Sequence, residues 1–162
     1  MTRSRSTAAA LVVLLAVVIG GSIASAGAPL PRFAALRAGE VNLRAGPGTE
    51  YPVEWVFMRR ALPIEITAEY GQWRKIRDYD GSEGWVHKSL LTGRRSVLVT
   101  GNVRTLRDNP GPDATAIARA EPGVIGRLLA CDRGWCEIEA SGHKGWLPII
   151  HLWGVYDGEV VE

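Results

Sequence analysis

An internal repeat constrains this 162-residue chain more than any other feature. Asn42-Leu43-Arg44-Ala45-Gly46-Pro47-Gly48 returns as Thr105-Leu106-Arg107-Asp108-Asn109-Pro110-Gly111. Trp73-Arg74-Lys75-Ile76 returns as Trp135-Cys136-Glu137-Ile138, and Gly84-Trp85-Val86 as Gly145-Trp146-Leu147. The landmarks keep their order and nearly their spacing, which chance matches do not. The chain therefore divides into two copies of one unit, residues 38–93 and 99–154, with Gly93-Arg94-Arg95-Ser96 as a short linker.

Units this short must be built from short elements, and the local signal is β. Ile64, Ile66, Ala68 and Tyr70 alternate with Glu65, Thr67 and Glu69, which predicts a strand with a core face and a solvated acidic face. Gly71-Gln72 turns the chain, Trp73 to Arg77 returns, and Asp80-Gly81 is a hairpin turn signal. Trp85-Val86-His87 and Val97-Leu98-Val99 add further strands. The 19 Gly and 9 Pro fall largely between apolar runs and argue against a helical bundle. The fold class is all-β, two tandem small barrels, each closing its own edges. So small a barrel is marginal alone, so the copies are expected to pack on one another.

The start of the chain reads as an address. Arg3 and Arg5 precede an apolar run from Ala8 to Ile19, and Ala24-Ser25-Ala26 offers small residues for a cut before Gly27. This is the pattern of a secretory signal peptide, residues 1–26, and the run is too short to anchor the chain in a bilayer. The mature chain is then periplasmic or secreted, with no stable membrane span. Loss of two leader arginines from 19 Lys+Arg leaves 17, balanced by 17 Asp+Glu. So balanced a chain gives little reason to expect the concentrated basic face that nucleic acid needs, and nucleic acid is not an expected partner. Charge is unevenly divided: residues 27–100 hold 11 basic and 8 acidic side chains, residues 101–162 hold 6 and 9. Simple scatter gives such a split; so does attraction between the copies, or a first copy that faces an anionic partner.

The landmarks resemble the bacterial SH3-like (SH3b) domain family. Asn42-Leu43-Arg44-x-Gly46-Pro47 is similar to its opening motif. Trp73-x-Lys75-Ile76-Arg77 with Asp80-Gly81-x-x-Gly84-Trp85-Val86 resembles its later strands, and Leu90-Leu91-x-Gly93 its close. The second unit departs from the pattern at Asn109, where the first has Gly46, and at Pro148. The resemblance implies small exported tandem SH3-like barrels, a role in binding cell-wall peptide or envelope proteins, and no catalysis. Fold alone does not fix function.

Strand parity gives an independent argument about the aromatics. Trp73, Lys75 and Arg77 share one face; in the second copy Trp135, Glu137 and Glu139 do. Turning Cys136 and Ile138 inward spares two carboxylates from burial, so Trp73 and Trp135 are expected on the wetter face. A half-exposed Trp among charges is either a binding anchor or a cap on a tiny core. Tyr51, Trp55, Tyr79, Trp85 and His87 are candidates to complete an aromatic groove around Trp73. Arg44 and Arg107 recur at one motif position, either to hold a ligand carboxylate or, more simply, to tie loop carbonyls.

Cys131 and Cys136 flank Asp132-Arg133-Gly134-Trp135, opposite one another across a hairpin loop. In an oxidising compartment this spacing predicts a disulfide, with Cys131 standing where the first copy has Tyr70. A thiol pair of Cys136 with His143 or His151, and a zinc site of Cys131, Cys136 and His143, are poorer readings. The repeats leave no room for a peptidase domain, and the ligand count fits no finger. No cofactor is implied. The leading reading is an exported non-enzymatic module that holds cell-wall peptide or an envelope protein segment; the alternative is a scaffold regulating a separate envelope enzyme.

Overall fold

The computed structural model describes residues 28–161. The expected signal peptide, residues 1–26, lies outside them. Strands β1 (Arg32–Leu36), β2 (Val41–Arg44), β3 (Val53–Phe57), β4 (Pro63–Tyr70), β5 (Trp73–Arg77), β6 (Glu83–His87) and β7 (Leu91–Thr92) form one antiparallel sheet in the order β3-β2-β6-β5-β4-β1-β7. Strands β8 (Ser96–Val99), β9 (Arg104–Arg107), β10 (Ala116–Ala120), β11 (Ile125–Asp132), β12 (Trp135–Ala140), β13 (His143–Pro148) and β14 (Leu152–Trp153) form a second, in the order β10-β9-β13-β12-β11-β8-β14. The topology repeats strand for strand, and the all-β expectation of two tandem units holds, but the edges are not closed as expected: among the described residues β3 pairs with β2 alone and β10 with β9 alone.

The first sheet begins at Arg32, ahead of the repeated landmarks. β1 pairs with β4 on one side and β7 on the other, and Phe33 to Leu36 are all buried. A strand enclosed in this way reads as a continuous apolar run without alternation. Each sheet encloses its own core: Val41, Leu43, Ile64, Ile76 and Val86 in the first, Val97, Leu106, Cys136, Ile138 and Leu147 in the second.

Two departures from simple alternation matter for the site. β4 carries a bulge between Ile66 and Ala68, matched by one in β11 between Leu128 and Ala130. One extra residue moves later side chains to the other face. Tyr70 therefore pairs with Trp73 on the outer face and is 66% exposed, although the alternation puts it with Ile64 and Ile66. Glu65, expected on a solvated face, is instead buried. The C-terminal segment covers it: Tyr156 donates its hydroxyl to Glu65 Oε1 at 2.9 Å, and Arg77 pairs with Oε2.

The two copies pack through aromatic rings and hydrogen bonds. Phe33 meets Trp153 edge-on at 5.1 Å and Tyr156 at 4.6 Å, and the Arg95 guanidinium lies 5.8 Å above its ring. Ser96 Oγ donates to the Ala61 carbonyl at 2.7 Å, and Arg59 to the Gly123 carbonyl at 2.6 Å. Trp153 pairs with Leu98 at the edge of its own sheet and also reaches the first copy. No ion pair joins residues 28–93 to residues 94–161 among the described residues, so the opposite charges of the copies are not used in that way.

Candidate functional site

The repeated Gly-Trp pair sets the frame. A Cβ on Gly84 would lie 2.6 Å from Leu43 Cγ, and one on Gly145 2.8 Å from Leu106 Cβ. Only glycine lets β6 cross β2, and β13 cross β9, at that distance. The crossing puts Trp85 opposite Arg44 and Trp146 opposite Arg107. Arg44 donates to the carbonyls of Thr49 at 3.1 Å and Tyr51 at 2.7 Å; Arg107 donates to that of Ala114 at 2.5 Å. The recurring arginines tie loops, the simpler of the two expectations.

The seven aromatic and histidine candidates divide among separate places. Trp73, Trp85 and His87 share the outer face of β5 and β6 with Lys75, all half-buried. Trp73 meets His87 edge-on at 5.4 Å, and Tyr70 extends the row onto β4. Trp135 holds the matching place in the second copy, opposite Pro148, beside Arg104 and His151. Burial, with Arg104 nearby, holds the His151 imidazole below its ordinary pKa. Ile76, Cys136 and Ile138 are buried, as strand parity requires.

Tyr51 lies against Gly46, on ground that a Cβ there would occupy. Trp55 and Tyr79 belong together elsewhere. Trp55 is in register with buried Leu43, so it leaves the core side of β3 at the open edge of the sheet and is 59% exposed. It lines a groove of about 510 Å³ with Phe57, Met58, Leu62, Tyr79 and Asp80. Tyr79 sits on the loop Asp78–Ser82 between β5 and β6, which Asp78 stiffens by accepting the Ser82 N–H at 2.8 Å. Its ring also meets Trp153 at 6.1 Å. Asp80 is exposed and carries a carboxylate at the groove wall.

The second copy lacks this groove. Ala118 stands opposite Leu106 as Trp55 stands opposite Leu43, and Ala120 replaces Phe57. The turn between β12 and β13 is only Ser141-Gly142, both at positive φ, the pattern of a type I′ hairpin. The equivalent space is about 70 Å³. Sequence reasoning missed Phe57, Met58 and Asp80. The exposure of Met58, 68%, is visible only in the structure, and the sequence carried no signal for it.

Cys131 and Cys136 face each other in register and form a disulfide with Cα atoms 4.1 Å apart. The turn beyond them is Arg133-Gly134, because Asp132 and Trp135 still pair. Register places Cys131 where the first copy has Glu69, one residue from the expected Tyr70. The disulfide thus replaces the Glu69–Arg74 ion pair, 3.2 Å long. Cys136 has no thiol to act with His143 or His151, and no metal-holding cluster of His, Cys, Asp and Glu occurs among the described residues.

The sequence profile of the bacterial SH3 domain matches residues 37–93 and again 101–154. The chain belongs to the bacterial SH3 domain family. A Bacillus subtilis protein, YrvJ, named as an N-acetylmuramoyl-L-alanine amidase, is 26% identical to this bacterial SH3 chain over 125 residues, 70% of this chain and 24% of that protein. The chain thus spans about a quarter of the curated relative it matches. Among solved structures it is similar to NlpC2 of Trichomonas vaginalis, with 13% identity, a TM-score of 0.37, and coverage of 80% of this chain and 50% of that one. For NlpC1 of the same organism the values are 12%, 0.34, 86% and 50%.

Proposed function

We propose that this bacterial SH3 protein is an extracytoplasmic, non-enzymatic binding module that holds cell-wall peptide in the groove of its first copy. The observation that carries the reading is the Trp55–Tyr79 groove of about 510 Å³ beside an unpaired strand edge. An edge strand offers backbone N–H and C=O groups to an extended peptide, and alternate side chains find pockets beside it. Trp55 supplies the anchor, and Asp80 supplies a carboxylate for a free amine on the peptide. The second copy, with Ala118 at the anchor position, acts as a packing partner that completes the groove through Leu98. The disulfide supports a place outside the reducing cytoplasm. Tyr51, Trp73, Trp85, His87 and Trp135 then serve the fold and its outer face, and Trp55 and Tyr79 the ligand.

The test is co-sedimentation of the purified protein with peptidoglycan sacculi. Trp55→Ala weakens binding by about tenfold or more, as loss of an interface anchor does, with unchanged circular dichroism. Trp135→Ala leaves binding intact. Failure of the wild-type protein to sediment, or equal binding by Trp55→Ala, rejects this groove and turns attention to a scaffold role toward a separate envelope protein.

A further inference from the structure

We infer a second ligand site, for a multiply charged phosphate anion, in the cleft between the two copies. The cleft has a volume of about 520 Å³ and is lined by five arginines: Arg37, Arg60, Arg94, Arg95 and Arg127. No Asp or Glu lines it. Arg95 is held by Glu159 and Arg127 by Glu139. The guanidiniums of Arg37, Arg60 and Arg94 have no carboxylate partner and no hydrogen bond among the described residues, where Arg94 bonds Thr92 Oγ1 only through its backbone N–H, and all three residues are exposed. They come from the end of β1, the β3–β4 connection and the linker, which the first copy brings together, and the second copy walls the cleft with Ser96, Ile125 and Arg127. The neighbouring cleft shares Arg37 and adds Lys88, continuing the basic surface.

Three guanidiniums without counter-charge repel each other, and the second copy indicates that the fold does not require them. Backbone bonding aligns Leu36 with Val99 and Ala61 with Gly123, since Ala61 N–H donates to the Leu36 carbonyl as Gly123 N–H does to that of Val99. Thr100 therefore stands at the place of Arg37 and Pro122 at that of Arg60. Leu91 and Leu152 pair with Leu36 and Val99, which puts Val155 at the place of Arg94. The second copy folds with an uncharged residue at each position. What the arginines provide is a set of forked donors suited to phosphate oxygens. The surplus of three positive charges matches a diphosphate group, which carries two to three negative charges at neutral pH, better than a single carboxylate. The source is either a soluble phosphorylated molecule or a lipid headgroup.

The experiment is calorimetric titration of the full protein with inorganic diphosphate at fixed ionic strength, with a parallel arm using phosphatidylcholine vesicles containing phosphatidic acid. Saturable binding in the first arm identifies a soluble-type site; binding to acidic vesicles alone identifies a headgroup site. In either arm each of Arg37→Gln, Arg60→Gln and Arg94→Gln weakens binding by about tenfold, as loss of a charge-assisted hydrogen bond does, and the triple variant abolishes it. Arg119→Gln, an exposed arginine on β10, leaves it unchanged. Absence of binding in both arms, or binding by the triple variant equal to wild type, overturns the site. The Trp55 variant binds diphosphate normally, so this outcome stands apart from that of the peptide groove.

Discussion

Glu65 faces Arg77 across β4 and β5, and at the same register of the second copy Arg127 faces Glu139, with the signs exchanged. Both pairs form. Their surroundings differ. The Glu65 side chain is 5% exposed beneath Tyr156, whereas Arg127 is 60% exposed and Glu139 33%. The fold accepts either orientation of charge; what covers the pair sets its energetic weight. The same holds at the neighbouring register site, where the first copy has a partly exposed ion pair and the second a buried disulfide. Two copies of one topology thus show which positions the fold dictates, namely the core and the Gly-Trp crossing, and which are free to acquire other uses.

The largest expected effect tests the covered pair. Glu65→Ala leaves the Tyr156 hydroxyl without its acceptor, while Arg77, whose side chain is 44% exposed, turns to water; the loss is about 1–3 kcal/mol, the cost of a buried polar group left unsatisfied. Glu139→Ala, at the exposed counterpart, leaves the denaturation midpoint within the scatter of ordinary surface substitutions. Urea unfolding of both variants measures the contrast, and equal losses would remove the argument from coverage. Burial, reinforced by the Glu65 hydrogen bond, also holds the Tyr156 phenol well above its ordinary pKa of 10.0. The native state therefore favours the protonated phenol, and this contact weakens as pH rises past that value.

The disulfide is next. Cys131→Ser/Cys136→Ser removes a constraint on a very short loop, and the chain-entropy estimate gives about 2 kcal/mol. The Val161 strand bridge to Cys131 covers this place, so the reduced protein is also expected to expose its C-terminal segment to protease. Unfolding with and without reductant, with limited proteolysis alongside, checks both.

Much of this arrangement was legible in the sequence because it rests on local periodicity. The Trp73 and Trp135 strands alternate as parity demands, and the Cys spacing fixes a cross-strand pair. Three things were not legible. A bulge at Thr67 leaves no mark in composition, yet it moves Tyr70 outward. Coverage of Glu65 comes from Tyr156, far along the chain, and alternation carries no information about a distant segment. The candidate groove depends on loop length: Asp78–Ser82 against Ser141-Gly142, with Trp55 leaving an edge strand from its core side. Grouping aromatics by type merged residues that the sheet assigns to opposite faces.

The smallest expected effect completes the comparison at the disulfide's counterpart. The hydrogen bond from Arg32 holds the Glu69 carboxyl below its ordinary 4.5, with Arg74 and Lys88 adding to the effect. Its folded pKa is lower than its unfolded one, so the unfolded state binds more protons as the carboxyl titrates. The stabilisation is then fully present above pH 4.5 and fades as pH falls through the lowered value. Glu69 is partly exposed and screened, which limits its worth to about 0.5 kcal/mol. Glu69→Gln should lower stability slightly at pH 7 and flatten part of the acid limb of a stability–pH curve. The disulfide does not titrate, so the double serine variant keeps that limb at its wild-type slope. If Glu69→Gln left the slope unchanged, the solvent-facing pair would have no energetic role, and at that site only the second copy would contribute to stability.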